Sequence, residues 1–172
     1  MFGEHENITV INKALSDSKG IVDFHIVENA PEESGLKRRE NSAYNIDDPK
    51  ISTEKVDTDI LDNYVNICHG VKYMKLDAEG AEIDILKGAT EITRRFRPII
   101  SVEYGRPSYI AYERTKESLY EFALENEWYV TDIFGNIIPT IAIWNELCDT
   151  VYWDFFLVPN EKLKEFWLNI HA

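Results

Sequence analysis

The sequence contains few glycines, and none of them forms a loop of the kind that holds nucleotides. Its eight glycines never stand in a G-x-G or G-x-x-G relation. Those spacings let backbone amides approach phosphate groups closely, so the sequence excludes a dinucleotide- or phosphate-binding loop of that type. The G-x-S-x-G pattern of serine hydrolases and the H-E-x-x-H pattern of zinc proteases are also absent.

Cysteine and histidine are equally sparse. Cys68 and Cys148 stand far apart and form no C-x-x-C pair, and the histidines have no metal-ligand spacing. A disulfide framework and a zinc site are therefore unsupported, and free thiols in a reducing compartment are expected. We expect no metal site from these residues. The four histidines are His5, His25, His69 and His171.

Positive charge and long apolar runs are the other shortages. Lysine and arginine number 18 against 31 aspartates and glutamates, which gives a formal net charge of -13. Such a chain repels phosphate backbones and anionic membrane surfaces, so nucleic acid and membrane are not expected partners. No apolar run approaches the roughly 20 residues that span a bilayer, and the N-terminus lacks a signal-peptide pattern. We expect a soluble, cytoplasmic protein.

The composition is otherwise that of a globular domain. Of the 172 residues, 44% are hydrophobic, which is enough for one domain with a sizeable core. The most informative stretch begins with an apolar run, Val71–Leu76, and continues through a helical pattern that Pro98 ends. A second apolar run, Ile99–Val102, follows. Strands that alternate with helices predict an α/β fold with parallel central strands. Carboxylates follow both strands: Asp77, Glu79, Glu82, Asp84 and Glu103.

The flanking segments predict further strands. Ile8–Leu15 and Ile21–Val27 are β-branched and joined by turn formers, which favours an antiparallel hairpin. A long polar loop over residues 28–49 follows, and loops of that length are often functional. A short strand over Lys55–Ile60 and a helix capped by Asp62 precede the central unit. The loop residues that could face a ligand are Ser42, Tyr44 and Asn45.

The C-terminal third continues the alternation of helices and strands. A helix follows Thr115, and Trp128–Phe134 reads as a strand. Ile137–Trp144 contains Pro139 and is expected to be an irregular cover. Val151–Val158 is strongly β-prone and mostly apolar, which predicts a strand buried on both faces, before a last amphipathic helix.

The two strand-ending acids carry the chemical hypothesis. Ligands of open α/β sheets bind beyond the carboxyl ends of the strands, and adjacent strands lie about 4.8 Å apart. Asp77 and Glu103 are therefore expected to share one site, with Glu79 beside them. Such a cluster can hold a cation, bind an ammonium group or act as a general base. Glu82 and Asp84 also fit an ordinary role as stabilisers of a helix N-terminus.

The residues resemble one known family. Val71–Ala89 reads VKYMKLDAEGAEIDILKGA and is followed by RPIISVE at Arg97–Glu103. Together these blocks closely resemble the signature of FkbM-type S-adenosylmethionine-dependent methyltransferases. Two N-terminal blocks agree, NITVINKALSDSKG from Asn7 and VDTDILD over Val56–Asp62. The resemblance runs from about Ile8 to Glu103 and is weaker beyond.

The resemblance implies a Rossmann-like methyltransferase sheet, mostly parallel with an antiparallel C-terminal strand. It also implies S-adenosylmethionine as cofactor and transfer of its methyl group to a hydroxyl of a small molecule or sugar. Asp77 would lie beside the methionine end of the cofactor, and Ala14 and Leu15 near its adenine. Asp77 would also be the catalytic carboxylate, with Glu79 or Glu103 as helper.

The sequence departs from the family at its N-terminus. It begins where the family's third strand begins, so we expect strands 3–7 of seven, a partial methyltransferase domain over residues 1–172. Met1 then reads as an internal methionine or the start of a shortened gene. An exposed sheet edge would favour self-association. Two alternatives remain open: a non-catalytic remnant that acts through interactions, and a metal site at Asp77, Glu79 and Glu103.

Overall fold

A computed structural model describes residues 8–38, 48–67 and 70–171 of the chain. The described residues form an α/β fold with two sheets, as the alternating pattern predicts. Ser42, Tyr44, Asn45 and Cys68 lie outside the described residues. The strands are β1 (Ala14–Leu15), β2 (Gly20–Val27), β3 (Ile51–Asp59), β4 (Tyr73–Leu76), β5 (Ile99–Glu103), β6 (Trp128–Thr131) and β7 (Asp154–Pro159). The α-helices are α1 (Glu82–Lys87), α2 (Thr90–Phe96), α3 (Arg106–Ala111), α4 (Ser118–Glu125), α5 (Ile141–Leu147) and α6 (Leu163–Ile170), and short 3-10 helices span Pro31–Glu33, Leu61–Ile67 and Asn160–Lys162.

The first sheet has three strands in the order β1-β3-β2. β2 and β3 pair antiparallel from Gly20 opposite Thr58 to Val27 opposite Ile51. β1 pairs parallel with the other edge of β3, so the predicted hairpin between Ile8–Leu15 and Ile21–Val27 is wrong. The end of β3 holds β1 in place, because the backbone amide of Ser16 donates to the carbonyl oxygen of Asp59 over 2.9 Å.

A buried carboxylate strengthens that junction. The side chain of Asp59 is only 6% exposed and accepts hydrogen bonds from Lys13 Nζ at 2.9 Å and the Tyr64 hydroxyl at 3.0 Å. Asn63 and the backbone amide of Ile60 also donate to it. The hydrogen bond from Lys13 is the main reason that the pKa of Asp59 lies well below its usual value. Lys13, the residue immediately before β1, therefore helps to fix the two-residue strand to β3.

The second sheet has four strands in the order β4-β5-β7-β6. β4 and β5 are parallel, and β7 lies antiparallel between β5 and β6. β4, β5 and β6 thus point in the same direction. Among the described strands, however, parallel pairing is confined to β1–β3 and β4–β5. The expected mostly parallel pairing is therefore not found, because β7 inserts between two strands that share a direction.

The main core covers one face of this second sheet. Ile100, Val102 and Leu157 are at most 1% exposed and pack with helix residues such as Leu86 and Leu119. The segment Ile137–Trp144 is not simply irregular, since Thr140 caps α5 and its hydroxyl accepts from the Ile143 amide. α5 inserts Trp144 into the core, where its ring centroid lies 4.5 Å from that of Phe155. In the described ranges no helix is long and apolar enough to cross a bilayer.

The predicted helix between β4 and β5 is split in two. α1 ends at Lys87 and α2 begins at Thr90, with Gly88 at the break. A Cβ atom on Gly88 would overlap the carbonyl oxygen of Ser16, so the break admits the loop that follows β1. Asp62 does not cap its own helix as predicted, because its carboxylate accepts from the amides of Glu91 and Ile92 at the start of α2. These contacts join the two sheets.

Candidate functional site

Asp77 and Glu103 meet at one end of the four-stranded sheet. Leu76 pairs with Val102, so the residues that follow, Asp77 and Glu103, emerge side by side. Their carboxyl groups form a hydrogen bond, so the two carboxylates lie next to each other, as the pairing of neighbouring strands predicts. Burial, that hydrogen bond and the negative charge of Asp77 together raise the pKa of Glu103 to about 7.

Two further charged residues face the same pair. Asp154, the first residue of β7, is the register partner of Glu103, and its charge helps to raise the pKa of Glu103. Lys75, two residues before Asp77 on β4, forms an ion pair with Asp77. That hydrogen bond raises the pKa of Lys75, and the nearby Asp154 and Glu103 add to the effect. A row of acids therefore crosses β4, β5 and β7, with one ammonium group at its end.

Glu79 lies on a tight turn between β4 and α1. The amide of Ala81 donates to the carbonyl oxygen of Ala78 over 3.2 Å, and the two residues between them have positive φ angles, 55° at Glu79 and 108° at Gly80. Glycine adopts such angles freely, but a residue with a side chain pays about 1–2 kcal/mol. Glu79 contributes a negative charge near Glu103. The turn therefore brings a third predicted carboxylate to the pair.

Glu82 has a role that helix-dipole reasoning does not describe. Its side chain is 1% exposed, and Oε1 accepts hydrogen bonds from the amides of Ala78 and Gly80 at 2.9 and 3.1 Å. Burial raises the pKa of Glu82. The side chain thus binds the turn in addition to the amide of Glu82 at the start of its own helix. Asp84 likewise pairs with Arg114 across the fold.

The predicted adenine contacts lie on the other sheet. Ala14 lines a groove of about 510 Å³ on the three-stranded sheet, and Leu15 packs against the main core. Asp77 is not among the residues that line this groove. The structure therefore brings Asp77, Glu79 and Glu103 together but does not join them to Ala14 and Leu15 in one pocket. The other lining residues are Asn12, Lys13, Phe24, Ile26, Glu54, Lys55, Val56 and Asp57.

Metal and thiol chemistry receive no support from the described residues. Within residues 8–38, 48–67 and 70–171, no three side chains of histidine, cysteine, aspartate or glutamate are arranged to hold a metal ion. The alternative of a metal site at Asp77, Glu79 and Glu103 is therefore not favoured. Cys148 is fully buried, and burial raises the pKa of its thiol to about 12. Such a thiol is inert as a nucleophile.

Sequence reasoning missed three residues around the site. Asp154 and Lys75 face the carboxylate pair, and Tyr112 packs its ring against Gly80. The alternation of β4 places Lys75 and Asp77 on one face, so Lys75 could have been identified from the sequence. Asp154 and Tyr112 could not, because their positions depend on how distant segments pair.

The family model of the Methyltransferase FkbM domain matches residues 3–141, well beyond the predicted limits of Ile8 and Glu103. No curated protein and no solved structure matches the chain. The matched segment includes β1–β6 and both members of the carboxylate pair. Because this match covers most of the sequence, the chain belongs to the FkbM methyltransferase domain family.

Proposed function

We propose that this chain acts in S-adenosylmethionine-dependent methylation of a hydroxyl group on a small molecule or glycan. The observation that carries the proposal is the Asp77–Glu103 pair, in which the pKa of Glu103 is raised to about 7. A general base is most effective when its pKa lies near the working pH. Family membership supplies the reaction class, and the pair supplies a group able to take the hydroxyl proton.

The proton-transfer role belongs to Glu103 in this proposal. In its ionised form, Glu103 would accept the proton of the acceptor hydroxyl as that oxygen bonds to the methyl carbon and the bond from this carbon to the sulfonium sulfur breaks, which leaves the sulfur as a neutral thioether. Asp77, Glu79 and Asp154 keep that base strong through their negative charges. This assignment exchanges the roles expected from the sequence, where Asp77 is the base and Glu103 the helper. Most of the rate would come from alignment of donor and acceptor.

The carboxylates also suit the cofactor's charge. When bound, S-adenosylmethionine supplies an electrophilic methyl group on a positively charged sulfonium. Asp77 and its acidic neighbours form a negative environment that fits the sulfonium and ammonium groups of the methionine end. Ala14 and Leu15 remain the proposed neighbours of the adenine. The chain contains no G-x-G loop, so its affinity for the cofactor is the first quantity to measure.

Calorimetric titration of the purified chain with S-adenosylmethionine tests the proposal. We expect saturable heat, and we expect Asp77→Asn to weaken binding about tenfold or more, because one charge at close range is removed. Glu161→Gln is the matched control, since Glu161 forms an exposed ion pair with Arg97, which precedes β5 at the end opposite to Glu103. Absence of heat at millimolar ligand would exclude cofactor binding by this chain.

The alternative of a non-catalytic interaction protein makes a different prediction. A remnant without chemistry would tolerate Asp77→Asn and Glu103→Gln with no change in ligand binding or phenotype. The family match does not favour this alternative. Equal cofactor affinity of the wild type and both variants would support the non-catalytic alternative.

Self-association through a sheet edge is a further part of the proposal. β4 is the outer strand of the four-stranded sheet, and Tyr73 on this strand is exposed. An unpaired strand edge is a template for pairing with another chain. We expect a concentration-dependent dimer in size-exclusion chromatography with light scattering. A monomer throughout the accessible concentration range would contradict self-association through β4.

A further inference from the structure

The turn that carries Glu79 adopts a conformation that its own sequence does not favour. Glu79 and Gly80 both have positive φ angles, although only glycine takes such angles without strain. A strained conformation persists where surrounding contacts determine it. The contacts that hold this turn therefore also set the position of Asp77, which immediately precedes it.

Glu82 holds the turn from the helix side. A single carboxylate oxygen, Oε1, receives the amide hydrogens of Ala78 and Gly80, the two residues that flank Glu79. With a side chain that is 1% exposed, Glu82 has no competing water contacts. In the described structure its other oxygen, Oε2, has no hydrogen-bond partner. The carboxylate also interacts with the backbone amide of Glu82 itself, so it links the turn to the first residue of α1.

Tyr112 holds the turn from the opposite side. A Cβ atom on Gly80 would lie 2.6 Å from Cδ2 of the Tyr112 ring and 2.6 Å from the carbonyl oxygen of Ser108. The backbone of Gly80 therefore packs directly against α3 and against Tyr112, the residue that follows α3, with no space for a side chain. Lys37 covers the outer face of the same ring, with Nζ 4.7 Å from the centroid. The loop after β4 is in this way fixed to the segment after β5, which follows Glu103.

We infer that Glu82 and Tyr112 are positioning residues, which hold the Ala78–Ala81 turn so that Asp77 keeps its contact with Glu103. Neither residue has to touch substrate or cofactor for this role. The inference rests on the proposed function, since it assigns these residues to the carboxylate pair. It also makes a physical prediction that needs no methyl acceptor.

The prediction concerns the proton affinity of Glu103. The charged groups around Glu103 are Asp77 and Lys75 from β4, Glu79 from the turn and Asp154 from β7. If the turn loosens, Asp77 moves away from Glu103, and its contribution to the raised pKa of Glu103 is lost. Burial remains, so the pKa of Glu103 should fall only part of the way to its ordinary value.

Carbon-13 NMR titration of protein labelled at glutamate carboxyl carbons measures this directly. The Glu103 signal is identified by its loss in Glu103→Gln, and the wild-type midpoint is expected at about 7. In Glu82→Leu, which removes the acceptor of both amides, the midpoint should fall by about one pH unit. In Glu82→Gln, which keeps one oxygen acceptor in place, the midpoint should stay at the wild-type value.

The control and the second variant separate positioning from simple destabilisation. Asp62→Ala removes the cap of α2, a comparable loss of stability remote from the turn, and should leave the Glu103 midpoint unchanged. Tyr112→Leu releases Gly80 from the other side and should lower the midpoint as Glu82→Leu does. If Glu82→Leu does not fold, Tyr112→Leu decides the outcome.

Three results would overturn the inference. One is an unchanged midpoint in the folded Glu82→Leu or Tyr112→Leu protein. Another is an equal fall in Glu82→Gln, which would mean that the charge of Glu82 acts on Glu103 directly. The third is an equal fall in Asp62→Ala. Failure of the proposed function has a different signature, because it is the wild-type chain that would then give no heat with S-adenosylmethionine.

Discussion

The two sheets of this molecule bury very different amounts of apolar surface. Along β2 and β3, the apolar side chains of Val22, Phe24 and Val56 are only half buried, and Ile21 is 68% exposed. In the four-stranded sheet, Ile100, Leu157 and Val158 are completely buried. The hydrophobic effect scales with the apolar area removed from water, so most of the folding free energy resides in the second sheet and its helices.

The two sheets therefore have different roles in the molecule. The four-stranded sheet supplies both stability and the carboxylate pair. The three-stranded sheet is attached to it by a few contacts, notably those of Ser16 with Gly88 and of Asp62 with α2. The loop between β2 and β3 of the three-stranded sheet also reaches the candidate site, because a Cβ atom on Gly35 would lie 3.3 Å from the Cβ of Glu79. The less stable region therefore forms one boundary of the candidate site.

The largest effect is expected from Phe155→Ala in β7. Phe155 is 1% exposed and packs on Trp144, so its truncation leaves a cavity in the main core. We expect a loss of about 3–5 kcal/mol in the free energy of unfolding, measured by urea denaturation. Phe155→Leu is the control, with an expected loss of less than about 1.5 kcal/mol. A loss below 1 kcal/mol for Phe155→Ala would contradict the assignment of stability to this sheet.

Gly88→Ala should have the next largest effect on stability, because Gly88 lies at the junction between the two sheets. The backbone of Gly88, with φ at -75°, suits alanine, yet the new methyl group would meet the carbonyl oxygen of Ser16. We expect a loss of about 1–3 kcal/mol and a separation of the unfolding transitions of the two regions. Gly70→Ala, which has open space around it, should change stability by less than about 0.5 kcal/mol. Equal effects of the two substitutions would show that the junction is not tight.

Glu103→Gln should stabilise the protein increasingly as the pH rises above about 4.3, the pKa of an unfolded glutamate. The folded state raises the pKa of Glu103 to about 7, so ionisation of Glu103 costs stability as pH rises from about 4.3 through 7. Glutamine avoids that cost, and we expect a gain of about 1–2 kcal/mol at pH 8, with allowance for the exposure of Glu103. At pH 4 both side chains are neutral and the difference should vanish. Thermal unfolding at the two pH values measures it, and a gain that is independent of pH would contradict the raised pKa.

The smallest effect is expected from Phe24→Ala in β2. Phe24 is half buried and lines the open groove of the three-stranded sheet, so little apolar area returns to water on truncation. A loss of about 1 kcal/mol is expected in urea denaturation. A loss as large as that of Phe155→Ala would mean that the groove is covered in solution, for instance by a second copy of the chain.

The sequence predicted those features that depend on local pattern and parallel pairing. β4 and β5 were identifiable as neighbours because a helical segment connects them, and their adjacency brings Asp77 to Glu103. The family resemblance, carried by short blocks around these strands, is confirmed by the match over residues 3–141. The catalytic and cofactor roles of Asp77, Glu79, Glu103, Ala14 and Leu15 stay predictions.

Non-local pairing explains what the sequence could not provide. β propensity marks Ile21–Val27 as a strand but does not name its partner, and β3 proved to be the partner instead of β1. Asp154 reaches Glu103 only because β7 inserts between β5 and β6. The hydrogen bonds between Glu82 and the preceding turn could not be predicted from the sequence for another reason. A glutamate in the first turn of a helix has the same sequence signature whether it serves the helix dipole or binds a neighbouring loop.

The position of β7 has a consequence for biosynthesis. β7 supplies the hydrogen-bonding partner of both β5 and β6, yet it is the last strand of the described chain to be translated. Until Asp154–Pro159 leave the ribosome, β5 and β6 both present unpaired edges to solvent or to chaperones. The nascent chain should therefore depend on protection until late in synthesis, and synonymous slow codons upstream of β7 should lengthen the period of that dependence.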